Sequence, residues 1–221
     1  MNKTAIILGA TGLTGNHLLQ KLIKDNRYNH IKLFSRKRID GLPDKVTQYI
    51  GNLLELNQFN NDFTGDEVYC CIGTTAKKTP NKTFYKQIDY GIPVAAAKLA
   101  KANKIETFLV ISAMGANKNS TVFYNKIKGE MEHSVLQQHI KNTYILRPSL
   151  ISGERKEQRL LENIGLTIFK VIQPLFIGSL KKYKSISAEY IAEAMLKLAN
   201  KVQYYEVIIT SDEIKKIAHN N

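Results

Sequence analysis

Tryptophan is absent from this chain of 221 residues, and cysteine occurs only twice, as the neighbours Cys70 and Cys71. Adjacent cysteines cannot tie distant segments together, so no disulfide framework is expected to hold the fold. No apolar run approaches the ~20 residues a bilayer-spanning helix needs, so no membrane span is expected. A secretory leader is missing too: the short apolar run near the N-terminus, Ala5 to Leu8, reads as the first strand. These absences point to the cytoplasm. Acidic residues are scarce, with 19 Asp and Glu against 32 Lys and Arg and a formal net charge of +13. The basic residues are nevertheless scattered from Lys3 to Lys216, with no single stripe and no aromatic-interleaved segment. They read as solvated faces rather than a nucleic-acid groove, and no nucleic acid is expected as a partner. His17, His30, His133, His139 and His219 have no metal-ligand spacing, so no metal site is expected.

What is present is ordered. Residues 4 to 15 read Thr-Ala-Ile-Ile-Leu-Gly-Ala-Thr-Gly-Leu-Thr-Gly, an apolar strand running into G-x-x-G-x-x-G. A lone glycine triplet is weak evidence, because turns also collect glycine. Here a strand precedes it and an amphipathic helix, about Gly12 to Lys24, follows, which is the context a dinucleotide-binding turn requires. Gly9 would end the strand, Gly12 would let the backbone approach a pyrophosphate, and Gly15 would let the helix pack on the strand. The helix start would offer free N–H groups to the phosphates.

Strand-like runs then alternate with helical periodicity, which predicts βαβ units and a doubly wound parallel α/β sheet, a Rossmann fold. Strands are expected at Thr4–Leu8, Ile31–Phe34, Val46–Ile50, Glu67–Cys71, Thr107–Ile111 and Thr143–Leu146. One long helix is expected at Lys82–Ala102 and another at Ser120–His139. Residues 151 to 185 are irregular, punctuated by Gly153, Gly165, Pro174 and Gly178. A helix at Ala188–Asn200, a strand at Tyr205–Ile209 and a short terminal helix complete the chain. We read a single domain, 1–221, in which 151–221 form a small lobe on the substrate side, over the carboxyl ends of the strands.

The end of the second strand speaks to the nucleotide. An NAD-type site places a carboxylate there, but this chain reads Ser35-Arg36-Lys37-Arg38. Arg36 can grip a 2′-phosphate bidentately, with Ser35 or Lys37 assisting, so NADP(H) is expected over NAD(H). The competing reading is a solvated charge cluster.

Tyr124 and Lys128 lie one helical turn apart on one face. A free phenol is a poor base at neutral pH, and a nearby ammonium is expected to lower its pKa. Ser112, at the end of the fifth strand, could hydrogen-bond a substrate carbonyl.

With these motifs in place the chain resembles the short-chain dehydrogenase/reductase superfamily, in its extended or atypical branch. More narrowly, it resembles the group of oxidoreductase-like proteins around the Tat-interacting protein. The residues carrying the closer match are Cys70 to Thr75, Ser112 to Ala116, Tyr124 to Glu130 and Leu146 to Leu150, spanning most of the chain to about residue 160. The resemblance implies that Gly9, Thr11, Gly12, Leu13 and Gly15 wrap the pyrophosphate. It implies Asn52 and Leu53 beside the adenine, Gly73 and Thr74 along the nicotinamide ribose, and the backbone around Pro148 to Leu150 over the carboxamide. Tyr124 would be the acid/base, Lys128 would tune it and hold the ribose, and Ser112 would polarise the carbonyl. Where many relatives carry an Asn in a proton relay, the nearest candidate here is the charged Asp89. Cys70-Cys71 would lie at a sheet edge of the cofactor cleft, as small buried side chains more than as a redox switch.

The function this implies is an NADP(H)-dependent reductase or dehydrogenase of a small carbonyl or alcohol. The alternative from another class is an NADPH-binding regulatory or scaffold protein that acts through a partner. A sugar-nucleotide epimerase is disfavoured, because little chain remains after residue 150. The two long helices could form a homodimer face. Arg155, Lys156 and Arg159 could greet an anionic substrate, or form a solvated helix start.

Overall fold

Residues 5 to 8 are apolar without interruption because the strand they form is covered on both faces. The structure, a computed structural model, describes residues 2–152, 185–200 and 204–220. In β1 (Lys3–Leu8), Ala5 and Ile7 join one core cluster, while Ile6 and Leu8 join a second on the opposite face. A strand buried in this way belongs at the centre of a parallel sheet. β1 pairs in parallel with β2 (Tyr28–Ser35) on one side and β4 (Glu67–Cys70) on the other. The sheet continues through β3 (Val46–Ile50), β5 (Thr107–Ile111), β6 (Asn142–Arg147) and β9 (Ile208–Thr210). Among the described residues its order is β3-β2-β1-β4-β5-β6-β9, every pair parallel. The order reverses between β1 and β4, which opens a crevice at their carboxyl ends. This is the doubly wound α/β sheet the sequence predicts.

Helices cover both faces. On one lie α1 (Leu13–Lys24), α5 (Ala188–Asn200) and α6 (Ser211–His219). On the other lie α3 (Ile92–Ala102), α4 (Phe123–Leu136) and a 3₁₀ segment, Leu53–Phe59. In α1, Leu18, Leu19 and Leu22 are fully buried. At roughly 2 kcal/mol for each buried leucine, that packing outweighs the ~1 kcal/mol helix penalty of Gly15. The C-terminal lobe is thus helical and built on the same sheet, to which it adds β9.

Several boundaries differ from expectation. The helix expected at Lys82–Ala102 is two, α2 (Lys82–Lys86) and α3, joined by a π-helical turn at Gln87–Gly91. Pro93 is the cause: it has no N–H to give to the carbonyl of residue 89, four positions earlier. The helix expected at Ser120–His139 shortens to α4, and the last strand is Ile208–Thr210 rather than Tyr205–Ile209. Tyr205 is exposed, and pairing with β6 begins only at Ile208. A capping box between Thr210 and Glu213 starts α6. The sheet-edge position expected for Cys70 and Cys71 is also corrected, because β4 lies between β1 and β5. Burial pushes the Cys70 thiol up to about 11 and raises that of Cys71 as well, which works against the thiolate form of both.

Two short parallel strands, β7 (Ile151–Ser152) and β8 (Ile186–Ser187), flank residues 153–184. Gly153, Gly165, Pro174 and Gly178, together with Arg155, Lys156 and Arg159, lie outside the described residues.

Candidate functional site

The glycine-rich turn sits at the mouth of the crevice. Gly9 has φ +87°, a left-handed conformation, and a Cβ there would lie 2.8 Å from the Cys71 carbonyl oxygen. The Gly12 N–H donates to the Gly9 carbonyl at 2.9 Å and closes the turn. A Cβ on Gly15 would lie 2.2 Å from that same Gly9 oxygen, so only glycine lets α1 approach β1 this closely. No side chain caps α1, and its first turn holds no acid. Its leading N–H groups, at Leu13, Thr14 and Gly15, therefore remain for an anion, with Thr11 exposed beside them.

At the end of β2, Arg36, Lys37 and Arg38 are all exposed. Ser35 is buried, and its hydroxyl donates to the Lys37 carbonyl at 2.7 Å, so its first task is to shape the turn that presents Arg36. Asn52 caps the 3₁₀ segment: its Oδ1 accepts from the Leu54 N–H at 3.1 Å and its Nδ2 donates to Glu55 at 2.9 Å. Leu53 is 5% exposed and packs in the core with Phe34.

The polar centre gathers at the ends of β4 and β5 and on α4. Lys128 is 3% exposed, and its Nζ lies 2.8 Å from Oδ1 of Asp89, which is fully buried on the π-helical turn. The other Asp89 oxygen accepts from the Thr74 N–H at 2.8 Å. Thr74 is held further by Thr79, hydroxyl to hydroxyl at 2.8 Å, and its carbonyl accepts from the Tyr85 hydroxyl at 3.3 Å. A Cβ on Gly73 would sit 3.6 Å from Asp89 Oδ1 and 3.9 Å from Lys128 Nζ, so the loop after β4 runs beside the ion pair. Tyr124, one turn before Lys128, is 41% exposed. The Ser112 N–H donates to the Leu146 carbonyl at 2.7 Å, while its hydroxyl oxygen is buried without a partner among the described residues. Pro148 is buried, and its carbonyl accepts from the Met114 N–H at 3.1 Å, joining the loops after β5 and β6.

One expectation about acidity is overturned. Burial raises the Tyr124 phenol above its ordinary value; Lys128 pulls it down and Asp89 pushes it up. The direction is upward, not the lowering expected from Lys128 alone, because burial outweighs the pull of the ammonium and the carboxylate adds to it. Burial works against the Lys128 ammonium, yet Asp89 outweighs it and holds that group above its usual range. Sequence reasoning named Asp89 only as a departure and missed Thr79 and Tyr85. No spacing rule links residues 74, 89 and 128.

A switch-point crevice lined by a glycine-rich turn, an uncapped helix start and a buried Lys–Asp pair defines a Rossmann dinucleotide-binding protein. The model of a family described as NAD(P)H-binding matches residues 9–163, and the chain belongs to that family. It is 34% identical over 183 residues to Protein FMP52, mitochondrial, of Candida glabrata, covering 80% of this chain and 75% of that one. It is 31% identical over 162 residues to Protein HTATIP2 of Rattus norvegicus, covering 72% and 66%. Among solved structures, a UDP-N-acetylglucosamine 4-epimerase from Methanobrevibacter ruminantium M1 superposes with a TM-score of 0.70 at 15% identity, over 94% of this chain and 76% of that one. That last likeness shows the fold alone.

The cytoplasmic expectation is corrected by these relatives. FMP52 proteins of Scheffersomyces stipitis, Candida glabrata, Debaryomyces hansenii and Candida albicans are all named mitochondrial. Two unpaired thiols suit any compartment that keeps cysteines reduced, so their scarcity does not select the cytoplasm.

Proposed function

We propose that the chain is an NADP(H)-dependent oxidoreductase of the short-chain dehydrogenase/reductase type acting on a small carbonyl or alcohol. The observation that carries this reading is the buried Lys128 ammonium beside Gly73, one helical turn from Tyr124. A buried lysine needs a reason to be there, and a ribose and a phenol are suitable neighbours for it. The residues fit a dinucleotide: the first turn of α1 has neither a side-chain cap nor an acid, and the Ser112 hydroxyl is left without a protein partner among the described residues. The same fold carries NAD in a UDP-glucuronic acid 4-epimerase from Bacillus cereus, 15% identical with a TM-score of 0.66. The preference for the 2′-phosphate rests on Arg36 and on the missing carboxylate at the end of β2.

When bound, the nicotinamide supplies or accepts a hydride. Leu13, Thr14 and Gly15 would hold the pyrophosphate by their N–H groups, and Arg36 the 2′-phosphate. Lys128 would hold the nicotinamide ribose hydroxyls. Ser112 would donate a hydrogen bond to the substrate oxygen and orient it toward Tyr124, which moves the proton.

The test is a titration with NADPH and NADH, followed by nucleotide fluorescence and thermal stability, beside Arg36→Ala. Selective NADPH binding, weakened about 10- to 100-fold by the variant, supports the reading. Binding of neither nucleotide would overturn it.

A further inference from the structure

Charge is distributed differently at the two ends of the sheet. At the amino ends of the strands, cations meet acids in local pairs: Lys3 with Glu67, Arg27 with Asp25 and Lys141 with Glu106. At the carboxyl ends, the segments that follow β4 and β5, residues 71–88 and 112–129, hold seven lysines and no Asp or Glu. Two of the seven find a carboxylate just beyond these segments, Lys128 with Asp89 and Lys86 with Glu130. The other five, Lys77, Lys78, Lys82, Lys118 and Lys126, are all exposed.

The nucleotide does not call for this excess. In the reading above its phosphates fall to the start of α1 and to Arg36 after β2, whereas β4 and β5 lie on the far side of β1 from β2, with Ser112 and Tyr124. Three of the lysines are carried by a fixed piece of chain. The Thr75 carbonyl accepts from the N–H groups of Lys78 and Thr79 at 3.0 and 2.9 Å, and the Thr79 and Thr74 hydroxyls are 2.8 Å apart. This turn presents Lys77 and Lys78 a few residues beyond Gly73. Lys82 Nζ stands 5.5 Å from the centre of the Phe123 ring, which meets Tyr85 edge-on at 5.6 Å. Phe123 is the residue before Tyr124, and the Tyr85 hydroxyl donates to the Thr74 carbonyl, so the lysine-bearing turn and the start of α4 are tied together. A ring steadies an ammonium without neutralising it, and no acid among the described residues pairs with Lys82.

A cleft rimmed by one sign of charge focuses its field on whatever enters. We propose that the carbonyl substrate is itself an anion, bearing a carboxylate or a phosphate, which the acid-free rim after β4 and β5 attracts and which Lys77, Lys78 and Lys82 hold at the mouth of the site. The inference rests on the oxidoreductase reading above and adds the charge of the substrate to it. Each exposed contact is weak by itself, so the selectivity comes from several cations acting together. A neutral carbonyl compound of the same shape gains nothing from them.

The experiment compares, at saturating NADPH, the reduction of aromatic and aliphatic aldehydes offered as the free carboxylate, as its methyl ester and as the corresponding phosphate. One such set is 4-formylbenzoate, methyl 4-formylbenzoate and 4-formylphenyl phosphate. At low salt kcat/KM for the acids should exceed that for the esters by about 10-fold or more, chiefly through KM. The ratio should shrink toward one as added salt shortens the reach of the charges. Lys77→Gln, Lys78→Gln and Lys82→Gln should each narrow the ratio by about 2- to 5-fold, and the triple variant should remove most of it. All three side chains are exposed, so the variants should fold, which thermal melting checks. A preference between carboxylate and phosphate identifies the anion the lysines read. Equal rates for acid and ester, a ratio indifferent to salt, or reduction of the esters alone would overturn the proposal and leave the oxidoreductase reading in place. NADPH binding without reduction of any acid would overturn it as well. Failure to bind NADPH would remove the oxidoreductase reading itself.

Discussion

A Cβ placed on Gly129 would lie 2.2 Å from the backbone nitrogen of Lys118 and 2.3 Å from the carbonyl carbon of Asn117. Gly129 is the neighbour of Lys128 on α4, and residues 117 and 118 belong to the loop that leads from Ser112 to Tyr124. That loop is pinned again where the Asn117 N–H donates to the Asn125 carbonyl at 3.0 Å. The missing side chain therefore sets how closely the Ser112 loop approaches the helix carrying Tyr124 and Lys128.

Gly129→Ala should force the loop outward, because the obstructing atoms are backbone and cannot rotate away. Overpacking of this kind costs about 1–3 kcal/mol, which for a domain of this size lowers Tm by several degrees. The pyrophosphate end of the nucleotide should be spared, since the glycine-rich turn is not involved, so any loss of NADPH affinity should be confined to the Lys128 contact. Calorimetry and an NADPH titration on one sample separate the two effects.

Ser112→Ala and Tyr124→Phe should differ from ordinary buried-polar substitutions. The Ser112 hydroxyl oxygen has no partner to lose among the described residues, so its removal should leave stability within about 0.5 kcal/mol. Turnover of a carbonyl substrate should nevertheless fall. For Tyr124→Phe the loss of the proton donor should lower kcat by about 10²- to 10⁴-fold, with NADPH binding retained. Denaturation curves and steady-state rates provide the check. Unchanged rates in both variants would favour a nucleotide-sensing role.

At the opposite end of the strands, a buried acid holds two phenols. The Tyr28 and Tyr69 hydroxyls donate to Glu67 at 2.7 and 2.6 Å, and Lys3 pairs with the same carboxylate. Asn200, at the end of α5, donates to the Tyr28 oxygen at 2.6 Å, which links that helix to the sheet. Burial, followed by the Glu67 charge, raises both phenols above the ordinary value of 10. A group raised on folding stabilises the native state fully below its unfolded pKa and loses that contribution as pH climbs toward the folded one. Stability should thus be flat up to about pH 9 and fall above pH 10. Tyr28→Phe should make that alkaline decline shallower, as urea midpoints measured across the range would show. Glu67→Ala, which strands Lys3 and both hydroxyls, should cost about 3–5 kcal/mol at neutral pH.

The nucleotide end and the fold were legible because local chemistry decides them. Gly9, Gly12 and Gly15 have the spacing of a turn that can be built in few ways, and short unbroken apolar runs bounded by turn residues suit strands buried on both faces of a parallel sheet. Those constraints act within about fifteen residues, so the order of strands and helices followed from the sequence alone. Pro93 acts just as locally, at the π-helical turn, by withholding one N–H from the helix. Leu53 was placed by its position in a motif, and burial against Phe34 made it a core residue. The acidity of Tyr124 depends on a contact between residues 39 apart, 89 and 128, which only the folded chain brings together. Sequence spacing could pair Tyr124 with Lys128 across one helical turn, since both lie on α4. Whether that lysine acts as a free charge or as half of a neutral pair depends on burial and on a carboxylate from another element, and the tertiary structure alone decided it.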